Sequence, residues 1–396
     1  MKIFIIANFV NSPTSRFLEL ADLFAQKGHE ITLITTDFDH ITKSRKKNMY
    51  QYGNFKIVYL HEPGYLNNVS VKRLYSHYCW GNHVASFLEK QKSPDVIYCA
   101  IPSLTVGARC VDYCRKHNVK FVVDIQDLWP EAFSLAIKQK VLQLAFWPMK
   151  RLANKSYAYA DLIIGVSNTY RDRGLSVNKK GKRGLTVFLG NHLSVFDKSK
   201  VDYHIDSKPA DDFWIAYIGT IGYSYDFKCV IDGISVYNKR FKQNKKIKFI
   251  AMGAGPLIDE FKQYAKAQNV DVNFTGGLSY QKMVGLMCSC DAVVNPIRKG
   301  AAQSITNKVG DYAFSRLAVI NTQECEEYRE LVEKYNCGIN CECGNSEQVA
   351  NALNELVNHP EKCKLMGQGS RKLGEDMFDR KNTYPKIVES VENLCS

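Results

Sequence analysis

Phe213-Trp214-Ile215-Ala216-Tyr217-Ile218-Gly219-Thr220-Ile221-Gly222 begins as an apolar, β-rich run and ends in two glycines, just ahead of a helical pattern over residues 227–241. A strand buried on both faces reads as a near-continuous apolar run, and glycine at its carboxyl end permits a tight turn into the next helix. Backbone N–H groups at such a turn can approach an anion. A plain strand-to-helix turn fits the same letters.

The same alternation continues outward in both directions. Strand patterns at residues 213–218, 246–252, 270–274, 292–295 and 317–321 are separated or followed by helical patterns at 227–241, 256–268, 279–288, 308–314 and 346–358. Upstream, strands are expected at 2–7, 30–35, 55–60, 95–100, 120–125 and 162–166. Between the first two, Phe17, Leu20, Ala21 and Phe24 share one helical face, and Gly28 suits the left-handed C-cap. Strands alternating with helices predict parallel sheets covered by helices: an α/β chain with two doubly wound, Rossmann-like domains. The expected boundaries are a first domain at 1–190, a polar linker at 191–211, a second domain at 212–370, and a C-terminal helix at 371–396 that returns to the first domain. In such sheets ligands bind at the carboxyl ends of the strands. No repeat of 20–50 residues appears.

Composition narrows the class. The 396 residues are 45% hydrophobic and 23% charged, ordinary for a chain that buries real cores. No apolar run reaches the ~18 residues of a membrane span, and the start, Met1-Lys2-Ile3-Phe4-Ile5-Ile6, reads as a strand rather than a secretory signal. Thirteen scattered cysteines without metal-site spacing suggest free thiols in a reducing cytoplasm. The net charge of +13 is confined to one half: residues 1–190 hold 27 Lys and Arg against 14 Asp and Glu, while the remainder is balanced. Such asymmetry predicts an anionic partner for the first half. Between Glu131 and Asp161 there is no acid, and Lys138, Lys140, Lys150 and Arg151 interleave with apolar residues that include Phe146 and Trp147. That pattern suits an anionic membrane surface; a buried helix with a solvated basic face is the alternative.

Two further segments carry candidate chemistry. Met252-Gly253-Ala254-Gly255-Pro256 closes a strand and opens a helix. Gln303-Ser304-Ile305-Thr306-Asn307-Lys308 precedes another helix, where backbone N–H groups face outward. Lys308 is an unfavourable charge at that end unless a diphosphate sits there. Asp311, one turn on, can accept hydrogen bonds from a ribose diol, or simply stabilise the helix dipole.

Taken in order, these segments resemble retaining glycosyltransferases of family 4, which have the GT-B fold of two Rossmann-like domains facing across a cleft. The resemblance rests on residues 28–35, Asp127-Leu128-Trp129-Pro130-Glu131, residues 160–167, the 217–222 turn, residues 249–256, Phe274-Thr275-Gly276-Gly277-Leu278 and residues 307–312. It is nearest to bacterial enzymes building capsule, O-antigen or exopolysaccharide. It implies a nucleotide-sugar donor in the second domain, with Gly219, Thr220, Gly222, Gly253, Gly255, Ser304, Ile305, Thr306, Asn307 and Lys308 about the diphosphate, Gly276 and Gly277 near the base, and Asp311 at the ribose. No metal and no other cofactor is expected. The family's usual pair of glutamates corresponds here to Gln303 and Asp311. Thr220 replaces an arginine, with Lys228 as a partial stand-in. Arg316 stands where glycine is usual.

Asp127, Gln303 and Lys308 are the expected catalytic residues; Asp127 also has the spacing of a helix N-cap. With no evident carboxylate nucleophile, retention by a front-face route is the expected mechanism. The resemblance implies an N-acetylated or deoxy hexose on UDP and a polyprenyl-diphosphate-linked saccharide acceptor, met by a protein peripheral to the inner face of the cytoplasmic membrane. A nucleotide-sugar 2-epimerase and a catalytically weak membrane-docking homologue remain alternatives. Nucleic acid is not an expected partner, because no recognition motif accompanies the charge.

Overall fold

The computed structural model describes residues 1–10, 12, 14–46, 53–132, 146–203, 208–241, 245–301 and 305–395. The chain divides into two compact units, Met1–Phe188 with Tyr384–Ser396, and Leu189–Thr383.

The first unit runs β1 (Lys2–Ile6), α1 (Arg16–Gln26), β2 (Glu30–Thr36), β3 (Phe38–Asp39), β4 (Ser44–Arg45), β5 (Lys56–Leu60), α2 (Val71–Leu88), β6 (Val96–Ile101), α3 (Leu104–His117), β7 (Lys120–Ile125), α4 (Trp147–Ala158), β8 (Leu162–Gly165), α5 (Asn168–Leu175) and β9 (Gly184–Thr186). Seven strands form a parallel sheet in the order β5-β2-β1-β6-β7-β8-β9, and β3 and β4 make a small antiparallel hairpin. Alternation along β1 feeds two cores: Ile3 and Ile5 face one, Phe4 and Ile6 the other. All six residues of β6 are buried, which is why it reads as an unbroken apolar run.

The second unit contains α6 (Leu193–Asp202), β10 (Asp212–Ile218), α7 (Phe227–Arg240), β11 (Lys246–Met252), α8 (Ile258–Ala267), β12 (Val272–Gly276), α9 (Tyr280–Cys288), β13 (Ala292–Asn295), α10 (Lys308–Phe314), β14 (Ala318–Asn321), α11 (Glu326–Lys334), β15 (Gly338–Asn340), α12 (Ser346–Asn358) and α13 (Pro360–Leu373). Its sheet is parallel in the order β12-β11-β10-β13-β14-β15, the doubly wound arrangement with a switch between β10 and β13. A π-helical turn (Gly374–Phe378) leads into α14 (Arg380–Glu392). Tyr384, Ile387, Val388, Val391 and Leu394 recur at helical spacing and join the core built on Ile3 and Ile5.

Three boundaries differ from expectation. The stretch read as a linker holds the ten-residue helix α6, which packs on α9 and α10. Its core contact Phe196, edge-on to Phe314, is a single aromatic in a polar run, too thin a pattern to announce a helix. Residues 371–383 stay with the second unit, because Asn191 pairs its backbone with Phe378 and Arg380 there. The third strand lies at 272–276 rather than 270–274.

Candidate functional site

The second unit gathers its candidate residues at the carboxyl end of β10. Gly219 has φ +118°, in the range that favours glycine. A Cβ placed there would lie 3.6 Å from Lys308 Nζ, an ordinary contact distance, so the lysine sits against this turn and it is the backbone conformation that asks for glycine. The neighbouring turn packs against it, backbone on backbone. Gly219 N donates to Met252 O (2.9 Å) and Ile221 N to Ala254 O (2.9 Å). A Cβ on Gly253 would meet Gly219 O at 1.9 Å, and one on Gly255 would meet Ile221 O at 2.0 Å. Gly253 and Gly255 therefore serve the packing of two turns. Gly276 and Gly277 have open space where a Cβ would go, and Gly276 bridges Gly253. Thr220 is exposed and Gly222 buried.

Lys308 begins α10 and is buried. Its Nζ donates to Tyr217 Oη (3.1 Å) and lies 4.2 Å from the Tyr217 ring centre and 3.7 Å from that of Tyr225. Tyr217 in turn donates to Thr220 O (2.6 Å), locking the phenol to the glycine turn. Among the described residues no carboxylate pairs with Lys308, and burial holds its pKa well below the ordinary lysine value. A cation kept on two aromatic faces beside a glycine turn is arranged to meet an anion. Ile305, Thr306 and Asn307 lead into α10, and Thr306 Oγ1 is buried without a hydrogen-bond partner among the described residues.

Asp311 lies one turn along. Tyr280 Oη donates to its Oδ1 (2.8 Å), and Asn191 Nδ2 donates to Tyr280 Oη (2.9 Å). Burial raises the Asp311 pKa to about 6, against the opposing hydrogen bonds from Tyr280 and Asn191. Arg316 has φ +61°, which supplies the reason glycine is usual there: the backbone after α10 is left-handed, while the Arg side chain stays exposed.

Lys228 does not join this group. Its Nζ pairs with Glu260 (2.7 Å) on α8, so it is a half-exposed surface pair rather than a substitute cation at the turn. Gln303, Ser304, Lys138 and Lys140 lie outside the described residues. A cavity of about 560 Å³ opens beside Lys246, Lys262 and Asn269, at the amino ends of β11 and β12. It is the wrong edge of the sheet for ligands of a doubly wound domain, and none of the candidate residues above except the edge of the Phe274 segment borders it.

In the first unit Asp127 follows β7. Its Oδ2 accepts from Trp129 Nε1 (3.0 Å), and burial raises its pKa against the opposing pull of that bond and of Arg73. The Arg73 guanidinium stacks 4.3 Å over Trp129, and the His77 ring stacks on the same indole at 5.6 Å. The 127–131 motif singled out Asp127 and Trp129 but not their contact; Arg73 and His77 come from α2, with no motif to announce them. Tyr217, Tyr225, Tyr280 and Asn191 were likewise silent in the sequence, because only the fold brings them to Lys308 and Asp311. Phe146 is half-buried, while Trp147, Lys150 and Arg151 are exposed at the start of α4, with Arg151 over the Trp147 ring. Among the described residues no helix is long and apolar enough to cross a membrane.

These features are those of a GT-B glycosyltransferase. Residues 14–180 match the family Glycosyltransferase Family 4, and residues 212–359 match Glycosyl transferases group 1. The chain belongs to the family 4 type of GT-B glycosyltransferases. It is 23% identical over 262 residues to an O-antigen chain mannosyltransferase C of Escherichia coli, covering 65% of this chain and 66% of that protein, just under two thirds of its length. The crystal structure of Anabaena HepE in complex with UDP is similar at a TM-score of 0.71, with 15% identity over 99% of this chain and all of that one. WaaG, a glycosyltransferase involved in lipopolysaccharide biosynthesis, is similar at 0.62, with 12% identity over 98% of each chain.

Proposed function

We propose that the protein transfers a hexosyl group from a nucleotide sugar, UDP-linked in the simplest reading, to a lipid-linked saccharide during surface-polysaccharide synthesis, with retention at the anomeric carbon. The observation that carries this reading is Lys308: a buried cation with no described carboxylate partner, fixed on Tyr217 and Tyr225 beside Gly219. The UDP held by HepE and the O-antigen and lipopolysaccharide roles of the relatives support the donor and the pathway class.

In this reading Lys308 and the turn at Gly219 neutralise the diphosphate as it leaves. The bond from the anomeric carbon to the diphosphate oxygen breaks, the bond to the acceptor oxygen forms on the same face, and the acceptor's proton passes to the departing diphosphate. Asp311 and Tyr280 orient the ribose. Asp127, beside Arg73 and Trp129, orients the reacting sugars. The diphosphate's charge is matched by the protein's own cation and dipoles, so neither a metal nor another cofactor enters the scheme. An N-acetylated or deoxy hexose is the donor sugar we favour. The acceptor's lipid places the work at the inner membrane surface, reached through the basic first half, including Lys150, Arg151 and Trp147.

The test is thermal stabilisation by a panel of UDP-, GDP- and dTDP-sugars. The reading predicts a raised melting temperature with UDP-sugars above all. No stabilisation by any of them contradicts it.

A further inference from the structure

The outer surface of α2 is wrong for a helix that faces water. Its inner face packs Ser76, His77, Trp80, Val84 and Leu88 into the first unit. On the opposite side Val71, Leu74, Tyr75 and Tyr78, spaced i, i+3, i+4 and i+7, form a second apolar stripe that is exposed, Val71 to 82%. The loop before the helix adds Leu66 and Val69, exposed to 73% and 80%. The turn of the β3–β4 hairpin adds Ile41, and it is joined to that loop by His40 with Tyr65 Oη and by Lys43 Nζ with Asn68 Oδ1. Contiguous exposed apolar surface of this kind marks an interaction site.

Charge identifies the partner. From His40 to Leu88 the single acidic residue is Glu62, which is buried and accepts from Ser76 Oγ (2.8 Å). Seven Lys and Arg lie in the same span; Arg73 is buried on Trp129, Arg45 pairs with Asp37 and Lys46 turns in to Val10 O, while Lys43 and Lys72 stand beside the patch. The surface is therefore apolar in the middle with Lys43 and Lys72 beside it, its one bordering carboxylate, Asp39, is taken up by the backbone N–H groups of Ile41 and Thr42, and it carries two tyrosines of the kind that settle at headgroup level. Topology then fixes where it points. Helices of a parallel sheet run back against their strands, so the N-termini of α2 and α4 and the hairpin after β2 all lie at the carboxyl edge of the first sheet. Exposed Trp147, at the start of α4, shares that edge.

We propose that this edge, centred on the Val71–Tyr78 stripe rather than on the Lys138–Arg151 segment alone, is the face that enters the interface of an anionic bilayer. The proposal rests on the membrane reading given above. Its test is co-sedimentation with vesicles of mixed phosphatidylglycerol and phosphatidylcholine, and of phosphatidylcholine alone. The wild type should pellet with the anionic vesicles only. A Val71→Ser, Leu74→Ser, Tyr75→Ser variant, altered at exposed positions, should lose about tenfold or more of that binding while keeping wild-type UDP affinity. A variant that pellets like the wild type, while Lys138→Gln, Lys140→Gln, Lys150→Gln, Arg151→Gln does not, overturns this placement and leaves the membrane reading standing. A wild type that does not pellet at all overturns both.

Discussion

Lys308 Nζ lies 3.7 Å from the centre of the Tyr225 ring, on a residue that the chain supplies from the far side of its glycine turn. The relation has a cost in the ligand-free protein. Burial penalises the charged lysine, so its folded pKa falls below the unfolded value. The unfolded chain then binds more protons between the lowered folded value and the ordinary 10.5, and stability rises with pH across that window. Lys308→Met should be the more stable protein at pH 7, with the difference shrinking towards pH 10. Urea unfolding at several pH values reads it directly.

Asp311 gives the opposite sign. Its folded pKa of about 6 exceeds the ordinary 3.8, so the folded state holds the proton more tightly and stability falls as pH rises from about 4 through 6. Asp311→Asn keeps an acceptor for Tyr280. It should match the wild type near pH 4 and exceed it in stability at pH 7.5. Asp311→Ala, which removes the proposed ribose contact, should weaken UDP binding by roughly ten- to a hundredfold in calorimetry.

Arg316 holds a left-handed backbone at φ +61°, and its carbonyl is pinned where a Cβ on Gly367 would lie 2.1 Å away. Arg316→Gly should relieve the strain and stabilise the protein by about 0.5–1 kcal/mol, after allowing for glycine's greater unfolded entropy. The urea midpoint should move upward with the slope unchanged.

Arg16 and Asp124 form a buried pair at 2.8 Å, completed by Tyr98 Oη on Asp124 (2.6 Å) and by the Tyr384 ring 5.0 Å from the guanidinium. Asp124→Ala leaves the cation buried and unpaired, which should cost about 3–5 kcal/mol. Because Tyr384 begins the C-terminal segment of the first unit, amide exchange in residues 384–394 should quicken in the same variant.

The doubly wound fold was legible because the longer parallel strands announce themselves as apolar runs. The strands Lys246–Met252 and Ala292–Asn295 and the helices Lys308–Phe314 and Ser346–Asn358 fall where their apolar runs and helical spacing put them. Short or half-polar elements did not: β9 and β15 are three residues each, and α2 carries apolar residues on two faces, which blurs its period. At the site, glycines and Lys308 were readable as a local motif. The aromatic seat of Lys308 was not, since Tyr217 and Lys308 are 91 residues apart and meet only through the sheet. Lys228 misled because sequence shows a charge near the turn but not Glu260 on the next helix.

If the Gly219 turn and Lys308 hold the diphosphate of a nucleotide-sugar donor, UDP affinity depends on the Lys308 charge. Calorimetric titration of UDP into the wild type and Lys308→Met tests it most directly. A charge-assisted hydrogen bond is worth about 1.5–3 kcal/mol, so UDP should bind the wild type measurably and the variant roughly ten- to a hundredfold more weakly. Equal affinity of UDP for the two proteins would contradict it.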